Sequence, residues 1–259
     1  MTALPGFSLA RRFAAGETVF TGWCGLPSPI VAETIAREGF PAVSIDCQHG
    51  LWDVAGMLAA IAVIRGAGAA PTVRIPVGDF SFASRALDFG AEGIIAPMIN
   101  TEADARRFVE HTKYPPVGER SLGPHRALGL SGAADLTAYL HAANSETVTF
   151  AMIETRTALD NIDVIMATPG IDAAFLGPSD LSIALTDGKV LDPHSKAVEA
   201  GVDRIAEAAR KAGKIAAAYC ATPERALELQ QRGFRFFAIA SDLAFLRAGA
   251  SAALKKLKG

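Results

Sequence analysis

Residues 42–66 read AVSIDCQHGLWDVAGMLAAIAVIRG and contain two kinds of sequence in direct succession. A short aliphatic run, 42–48, is followed from Val54 by an alanine-rich segment whose apolar residues recur at helical spacing. The pattern predicts a buried strand and then a helix. The strand is apolar at consecutive rather than alternate positions, which is typical of a parallel sheet covered on both faces.

The same strand–helix pattern occurs eight times along the chain. The eight predicted strands are 19–25, 42–48, 71–76, 93–98, 149–154, 173–178, 214–220 and 236–241. Eight such units in 259 residues predict a TIM (β/α)8 barrel, an α/β fold. The alternative is a doubly wound open sheet, which usually has fewer units and an early glycine-rich phosphate loop. No GxGxxG or GxxxxGK[ST] motif follows any of the runs, which favours the barrel.

The length suits a single barrel domain over residues 1–259. Two segments stand apart from the eight units. An amphipathic helix is predicted over 5–17, and an insertion over 115–148 contains one predicted helix, 134–143. Connections as long as this insertion are usually functional or interfacial.

Charge and cysteine content argue against several classes of protein. The net charge is −2, and no basic block of the kind that binds nucleic acid or a membrane surface is present. The three cysteines lack CxxC spacing, which disfavours a zinc finger or disulfide framework and favours the reducing cytoplasm. The sequence has no run of about 18 apolar residues, so no membrane span is predicted. The N-terminus lacks the apolar core of a signal peptide.

Polar or aromatic residues stand at the carboxyl ends of the predicted strands, where TIM barrels build their active sites. They are Trp23, Asp46, Gln48, His49, Arg74, Glu154, Ser179 and Asp180. These residues are far apart in the sequence, but a closed barrel would bring them to one cavity.

Glu154 and Asp180 are the first chemical pair, because they follow neighbouring strands. Two carboxylates that face each other repel unless a cation lies between them. A site with two carboxylates, completed by water and substrate oxygens, suits Mg²⁺, Mn²⁺ or Co²⁺. In the alternative interpretation, Glu154 pairs with Arg156 and Asp180 caps the following helix.

Arg74 lies in TVRIP, within an otherwise apolar strand, so its guanidinium needs an anionic partner. That partner is either a structural carboxylate or the carboxylate of a substrate. The segment GPSDLS, 177–182, adds backbone N–H groups at a helix N-terminus, which attract anions. Arginine, helix N-terminus and metal together predict a receptor for a 2-oxo acid, with Arg74 on the keto oxygen.

His49 is the candidate general base, oriented by a nearby acid such as Asp46. A lone histidine beside a loop is also commonly structural or merely exposed. Imine chemistry is disfavoured, because it needs a desolvated lysine at a strand end. Only Lys214 touches a predicted strand, and it does so at the opposite end.

The combination of motifs resembles the HpcH/HpaI aldolase family, the metal-dependent class II pyruvate aldolases of the phosphoenolpyruvate/pyruvate barrel superfamily. The resemblance runs nearly end to end. The motifs that carry it are SIDCQHG, VRIP, LDFGAEGIIAPMINT, YPPVGERSLG, MIETRTALDNID and GIDAAFLGPSDLS.

The resemblance implies a divalent metal held by Glu154 and Asp180, and Arg74 on the enolate oxygen. It also implies a histidine base, His49, paired with Asp88 of LDFGA. Such enzymes add pyruvate, or hydroxypyruvate, to an aldehyde and also cleave the resulting 4-hydroxy-2-oxo acid.

Further site residues follow from the same resemblance. Backbone amides from Gly177 to Asp180, around Ser179, would hold the pyruvate carboxylate, and Trp23 would form a pocket wall. Family members are typically hexamers built as trimers of dimers, so the 115–148 insertion and the C-terminal helix are candidate contacts.

One position departs from the pattern. The family commonly has Asp-x-Glu-His after the second strand, whereas this chain has Gln48 in place of the glutamate. A neutral amide there, beside Asp46 in the metal's outer surroundings, would change the attraction for a cation. Two other functions stay open: a CoA-ester carbon–carbon lyase on the same barrel, and a barrel without activity.

Overall fold

Eight parallel strands close into a barrel in sequence order, and each strand pairs with the next one along the chain. The computed structural model describes residues 6–258. The strands are β1 (Val19–Cys24), β2 (Ala42–Asp46), β3 (Ala70–Arg74), β4 (Gly93–Ala96), β5 (Val148–Ile153), β6 (Ala173–Leu176), β7 (Ile215–Cys220) and β8 (Phe236–Ile239). Parallel pairing of β8 with β1 completes the ring. The predicted TIM-type barrel is confirmed.

Among the described residues, helices follow the strands and cover the outside of the barrel, with one further helix before the first strand and two in the insertion. They are α1 (Leu9–Ala14), α2 (Pro29–Arg37), α3 (Val54–Gly66), α4 (Phe80–Phe89), α5 (Glu102–Thr112), α6 (His125–Ser131), α7 (Leu136–Glu146), α8 (Arg156–Asp160), α9 (Ile162–Ala167), α10 (Pro178–Leu185), α11 (Lys196–Ala212), α12 (Pro223–Gln231) and α13 (Asp242–Lys258). Within the described residues, no helix is long and apolar enough to span a bilayer.

Several element boundaries differ from those that the sequence predicts. The second strand ends at Asp46, and residues 47–49 form a turn. The insertion contains two helices, α6 and α7, where the sequence predicted one. The N-terminal helix covers Leu9–Ala14 rather than 5–17, and residue 5 lies outside the described part of the chain. β2 ends at Asp46 because the N–H groups of Gln48 and His49 bond to the side chain of Asp46 and not to a neighbouring strand.

The interior of the barrel is filled by aromatic side chains near its amino end. Phe150, Phe175 and Phe236 are fully buried, and the Phe150 and Phe236 ring centroids lie 4.7 Å apart. Phe13 of α1 meets both rings, at 6.3 Å from Phe150 and 6.1 Å from Phe236. α1 therefore closes the amino end of the barrel.

An acid at the amino end holds α1 in this position. Glu92 Oε2 accepts the backbone N–H groups of Ser8 and Leu9 at 2.7 and 2.8 Å. Its other oxygen accepts from Arg65 Nη1 at 2.7 Å. The carboxylate satisfies N–H groups at the start of the helix that would otherwise be unpaired.

The insertion is attached to the barrel through a buried lysine. Lys113 Nζ donates to the carbonyl oxygens of Asn144 and Thr147 at 2.8 and 2.7 Å and to Asp172 Oδ2 at 2.8 Å. Lys214, just before β7, donates to the Thr168 carbonyl at 2.9 Å. Both ammonium groups therefore form structural hydrogen bonds at the amino-end side of the barrel.

We expect Phe236→Ala to lower the free energy of unfolding by about 3–5 kcal/mol, because it opens a void among packed rings. The melting temperature should fall by roughly 2–4 °C for each kcal/mol in a chain of this size. Leu191→Ala is the matched control, because Leu191 is 65% exposed, and its effect should stay within about 0.5 kcal/mol. Equal shifts in the two variants would contradict this account of the core.

Candidate active site

A cavity of about 430 Å³ opens at the carboxyl end of the barrel. Its lining includes seven of the residues predicted from the sequence. They are Trp23, Asp46, His49, Arg74, Gly177, Ser179 and Asp180. Gln48 and Glu154 follow the same strand ends, whereas Asp88 lies elsewhere.

The Asp46 carboxylate is the centre of a hydrogen-bond network on one side of the cavity. Its Oδ1 accepts from Arg74 Nε at 2.9 Å, and its Oδ2 accepts from Arg74 Nη2 at 2.7 Å. Trp23 Nε1 donates to Oδ2 at 3.3 Å, and the backbone N–H groups of Gln48 and His49 donate to Oδ1 at 3.1 and 3.2 Å. The network binds the ends of β1, β2 and β3 together.

This network decides the charge of Asp46. Burial by itself would raise the pKa of the carboxyl, but the hydrogen bonds and charge of Arg74, with the two backbone N–H groups, outweigh it. The pKa of Asp46 is therefore held below its usual value, and the carboxylate stays ionised.

Arg74 has a structural carboxylate as its partner, which was one of the two possibilities left open by the sequence. Its guanidinium also lies 4.8 Å from the centre of the Trp23 ring, a favourable cation–π distance. In the described residues, Nε and Nη2 are the Arg74 nitrogens that donate hydrogen bonds. Nη1 remains available on a side chain that lines the cavity.

Glu154, directly after β5, is buried and held by backbone. Its Oε1 accepts from the N–H of Met98 at 2.8 Å. Met98 has a φ of 58°, an unusual value for a residue with a side chain, and this conformation aims its N–H at the carboxylate. Arg156 instead donates to the Leu185 carbonyl at 2.9 Å, so the predicted alternative of a Glu154–Arg156 pair is wrong.

The pKa of Glu154 is raised to about 7, mainly by burial and in addition by the charge of Asp180. The Met98 N–H and the charge of Arg74 oppose this rise. A carboxyl with such a pKa lacks a cationic partner of its own. Its environment would favour the ionised form if a cation lay beside it.

Asp180 is the third residue of α10 and is exposed at the cavity. The N-cap of α10 is Gly177, which makes no side-chain capping bond. In the part of the chain that the structure describes, the Asp180 carboxylate accepts no hydrogen bond. The alternative in which Asp180 caps its own helix is therefore not supported, and its oxygens are free to bind a ligand.

Gly177 gives Glu154 the space that it occupies. A Cβ at this position would collide with Glu154 Oε2 and approach the Glu154 Cβ to 2.9 Å. Among residues 6–258, Oε2 accepts no hydrogen bond, in contrast to Oε1. One oxygen of Glu154 is thus anchored and the other is free beside the backbone that leads to Asp180.

These features fit a divalent cation with oxygen ligands. Within the described residues, no group of three or more His, Cys, Asp or Glu side chains is arranged to hold a metal. The two carboxylates would therefore be completed by water and substrate oxygens, as Mg²⁺ and Mn²⁺ accept. Gln48 Oε1 is buried without a hydrogen-bond partner, so a polar atom near the same strand ends also has unused capacity.

His49 lies at the tip of the turn after β2, with its side chain exposed at the cavity. The backbone of this turn is fixed by Asp46 Oδ1. In the described chain, the imidazole ring makes no hydrogen bond or ion pair with a carboxylate. The ring is positioned through its backbone alone.

Within one chain, the predicted His49–Asp88 dyad is not formed. Asp88 is one residue from the end of α4, and a helix that follows a strand runs back toward the amino end of the barrel. The rise along α4 places Asp88 about 12 Å from the start of the helix. There it accepts from Arg120 Nη2 at 2.6 Å, and burial raises its pKa against the charge of Arg120.

The sequence did not single out Asp242, which also lines the cavity. Its Oδ2 accepts from the N–H of Leu26 at 2.8 Å, and its Oδ1 accepts from the N–H of Leu243 at 2.8 Å. The available signal was an acid directly after the last strand and at the start of a helix, as at Asp180.

Comparison with known proteins identifies the family of the chain. A sequence model of the HpcH/HpaI aldolase/citrate lyase family matches residues 20–248, so the chain belongs to this family. The chain is therefore an aldolase of the class II type, a carbon–carbon lyase.

Individual relatives cover nearly the whole chain. A hydroxypyruvate/pyruvate aldolase of Rhizorhabdus wittichii is 39% identical over 91% of this chain and 92% of its own. A 5-keto-4-deoxy-D-glucarate aldolase of Salmonella arizonae is 31% identical over 91% of each.

Solved structures share the fold. The crystal structure of an HpcH/HpaI aldolase from Desulfitobacterium hafniense aligns with a TM-score of 0.90 at 27% identity, over 97% of each chain. A citrate lyase beta subunit from M. tuberculosis, complexed with oxaloacetate and magnesium, aligns with a TM-score of 0.59 over 87% of this chain and 92% of that one. Its 16% identity shows the fold alone and makes the citrate lyases distant relations.

We expect Glu154→Gln to stabilise the chelator-treated protein at about pH 8. The pKa of Glu154 is raised from 4.5 to about 7 on folding, so the folded state binds the extra proton between these values. Stability therefore falls as the pH rises through this window, by roughly 3 kcal/mol at most. The glutamine variant has no ionisable group at this position, so this loss of stability does not occur in it.

Thermal melts of both proteins between about pH 4 and pH 8 check this prediction. The melting temperatures should diverge with rising pH, with the variant higher above pH 7. Glu207→Gln, on the exposed face of α11, is the matched control. A constant difference across the pH range would show that Glu154 is not destabilised as a free carboxylate.

Proposed function

We propose that the chain is a metal-dependent pyruvate aldolase that adds pyruvate or hydroxypyruvate to an aldehyde and cleaves 4-hydroxy-2-oxo acids in reverse. The observation that carries the proposal is the arrangement of charges at one cavity. The unpaired carboxylates Glu154 and Asp180 lie beside the paired ions Asp46 and Arg74. The names of the relatives support the choice of donor.

Glu154 and Asp180 would hold Mg²⁺, Mn²⁺ or Co²⁺. When bound, the cation supplies Lewis-acid stabilisation of negative charge on the donor's oxygens. Arg74 Nη1 donates to the keto oxygen as it becomes an enolate oxygen. The cation–π contact and the bidentate Asp46 pair keep the guanidinium from moving, which is the preorganisation that favours the transition state.

The donor's carboxylate binds at the N-terminus of α10. The backbone N–H groups of Ser179 and Asp180 belong to the first turn of this helix, after Gly177, and have no intrahelical partners. They therefore point at an anion in the cavity. Trp23 and Phe175, whose rings lie 6.2 Å apart, form the wall against which the donor packs.

His49 takes a proton from the carbon next to the keto group and returns one to the oxygen of the aldehyde after the new bond forms. Its ring is exposed at the cavity, and Asp46 holds its backbone. Asp46 thus positions both the base and Arg74. Gln48 and Asp46 lie outside the direct contacts of the cation and affect it through the shape of this turn.

In this proposal, Asp88 pairs with His49 only if the histidine belongs to another chain. Within one chain, Asp88 lies at the other end of the barrel. Assembly of several chains is part of the proposal for a separate reason. Residues 243–258 of α13 are all exposed, including Leu246, Leu254 and Leu257. An apolar groove beside it, lined by Phe20, Phe40, Leu227 and Ile239 among others, is also uncovered.

A helix that exposes leucines along its whole length presents an apolar surface of the kind that usually marks a contact with another chain. We therefore include a homo-oligomer, of the hexameric kind that the family implies, with α13 at a contact. The three free thiols, Cys24, Cys47 and Cys220, suit the reducing cytoplasm.

The CoA-ester lyase alternative has less support. A CoA nucleotide carries phosphates that need cationic side chains. Among the described residues that line the cavity, Arg74 is the single lysine or arginine, and its charge is already paired with Asp46.

The proposed function is tested by removing the metal and by removing Arg74. Full chelation should abolish both pyruvate release from a 4-hydroxy-2-oxo acid and hydrogen–deuterium exchange at the pyruvate methyl group in D₂O. Arg74→Ala should lower kcat/KM by about 10²-fold or more, as for loss of an oxyanion donor. Arg156→Ala, outside the cavity, is the control. Activity that survives complete chelation would refute the metal-dependent mechanism.

The assembly is tested by light scattering coupled to size exclusion. We expect a mass that is a multiple of the single chain. The double variant Leu254→Lys, Leu257→Lys should reduce that mass by placing charges on the contact face of α13. A monomeric wild-type protein at micromolar concentration would contradict this part of the proposal.

A further inference from the structure

Three leucines stand together at one side of the cavity mouth. Leu26 follows β1, Leu51 follows β2 and Leu243 follows β8, and all three line the cavity. Because β8, β1 and β2 are neighbours in the barrel, these three residues lie after adjacent strand ends on one side of the cavity, and the set is here termed the leucine rim. Leu51 is 72% exposed and Leu243 is 48% exposed.

The leucine rim is held by hydrogen bonds of its own backbone. Leu26 and Leu243 donate their N–H groups to the two oxygens of Asp242, each at 2.8 Å. Leu51 donates its N–H to the carbonyl oxygen of Gly25 at 2.8 Å. Asp242 itself is buried, with 3% exposure. The loops therefore keep the leucine side chains at the cavity, since their backbones are fixed.

These bonds also decide what the rim can offer to a ligand. The three N–H groups are already donated within the protein, so they are not free to bind hydroxyl groups of a substrate. Ser241, beside the rim, accepts the N–H of Ala244 at 3.2 Å. The rim therefore presents mostly apolar surface.

The charges of the cavity also favour an uncharged ligand at the rim. Among the described lining residues, Arg74 supplies the guanidinium or ammonium charge, and that charge faces Asp46 and the donor's side of the site. With Asp46 paired to Arg74 and Asp180 assigned to the cation, the remaining acid of the lining is Asp242, whose two oxygens accept backbone N–H groups. On the side of Leu26, Leu51 and Leu243, no lysine or arginine of the described chain lines the cavity, so a carboxylate or phosphate on the aldehyde would have no cationic side chain to pair with there.

We propose that the acceptor is an uncharged aldehyde with an apolar substituent, which packs against Leu26, Leu51 and Leu243. The inference rests on the proposed aldolase function and deepens it, because it assigns the second substrate by chemistry. Each methylene that the rim removes from water should raise kcat/KM by about fourfold. Aldehydes that carry a carboxylate should be poor acceptors.

The test compares pentanal with succinic semialdehyde, which are similar in length but differ in charge at the far end. With metal-loaded enzyme and saturating pyruvate, we expect pentanal to have the higher kcat/KM by about tenfold or more, after correction for aldehyde hydration. The value should also rise along the series from ethanal to pentanal. A flat series, or a preference for succinic semialdehyde, would overturn the inference.

Variants assign the preference to the rim. Leu51→Lys should lower the ratio of pentanal to succinic semialdehyde by about tenfold or more, because it exchanges an apolar contact for a cation. Leu191→Lys makes the same change at an exposed leucine outside the cavity, and its ratio should equal that of the wild type. If Leu51→Lys changes the oligomeric mass and leaves the ratio unaltered, the rim is a contact between chains and the inference is wrong.

A separate measurement distinguishes this inference from the proposed function. Exchange of the pyruvate methyl hydrogens in D₂O needs no aldehyde. Wild-type enzyme that exchanges these hydrogens but shows no preference among acceptors retains the proposed function and loses the rim assignment. Wild-type enzyme without metal-dependent exchange loses both.

Discussion

The carboxylate of Asp46 is the interaction on which the site depends. It accepts two hydrogen bonds from Arg74 and one from the Trp23 indole, and it fixes the turn that carries His49. The side chain that would stabilise an enolate and the side chain that would move protons are therefore held by the same anion. Because the pair is buried, removing Asp46 would leave the guanidinium without a counter-charge.

The two halves of the barrel interior differ in polarity, and this difference sets the surroundings of the charged groups above them. On the side of β1, β2 and β3, Thr21, Ser44 and Thr72 form a chain of hydroxyl groups with oxygen–oxygen distances of 2.9 and 2.6 Å. On the other side, Phe150, Phe175 and Phe236 pack against one another. The Asp46–Arg74 pair lies above the hydroxyl chain, whereas Glu154 stands at the edge of the aromatic half. Burial without a cationic partner is what raises the pKa of Glu154 to about 7.

Much of the site was predictable because a parallel barrel converts strand ends into neighbours. Seven predicted residues line one cavity for this reason, and Glu154 follows the same ends. The sequence left the partner of Arg74 open between a structural carboxylate and a substrate carboxylate, and the structure pairs it with Asp46. Within one chain, Asp88 pairs with Arg120 at the opposite end of the barrel and not with His49. Motif resemblance joined His49 to Asp88, but it carries no information on which end of a helix a residue occupies.

The sequence by itself determined the eight strand–helix units and the residue types at the strand ends, because these depend on local periodicity and composition. It indicated the family through the resemblance of its motifs. Only the tertiary structure decided where β2 ends, how the insertion divides into two helices, and which oxygens of Glu154 and Asp180 stay free. It also brought Leu26 and Leu243 to the cavity mouth through Asp242, and Leu51 through the carbonyl oxygen of Gly25. These features depend on contacts between distant segments, and the spacing of residues along a chain does not encode such distances.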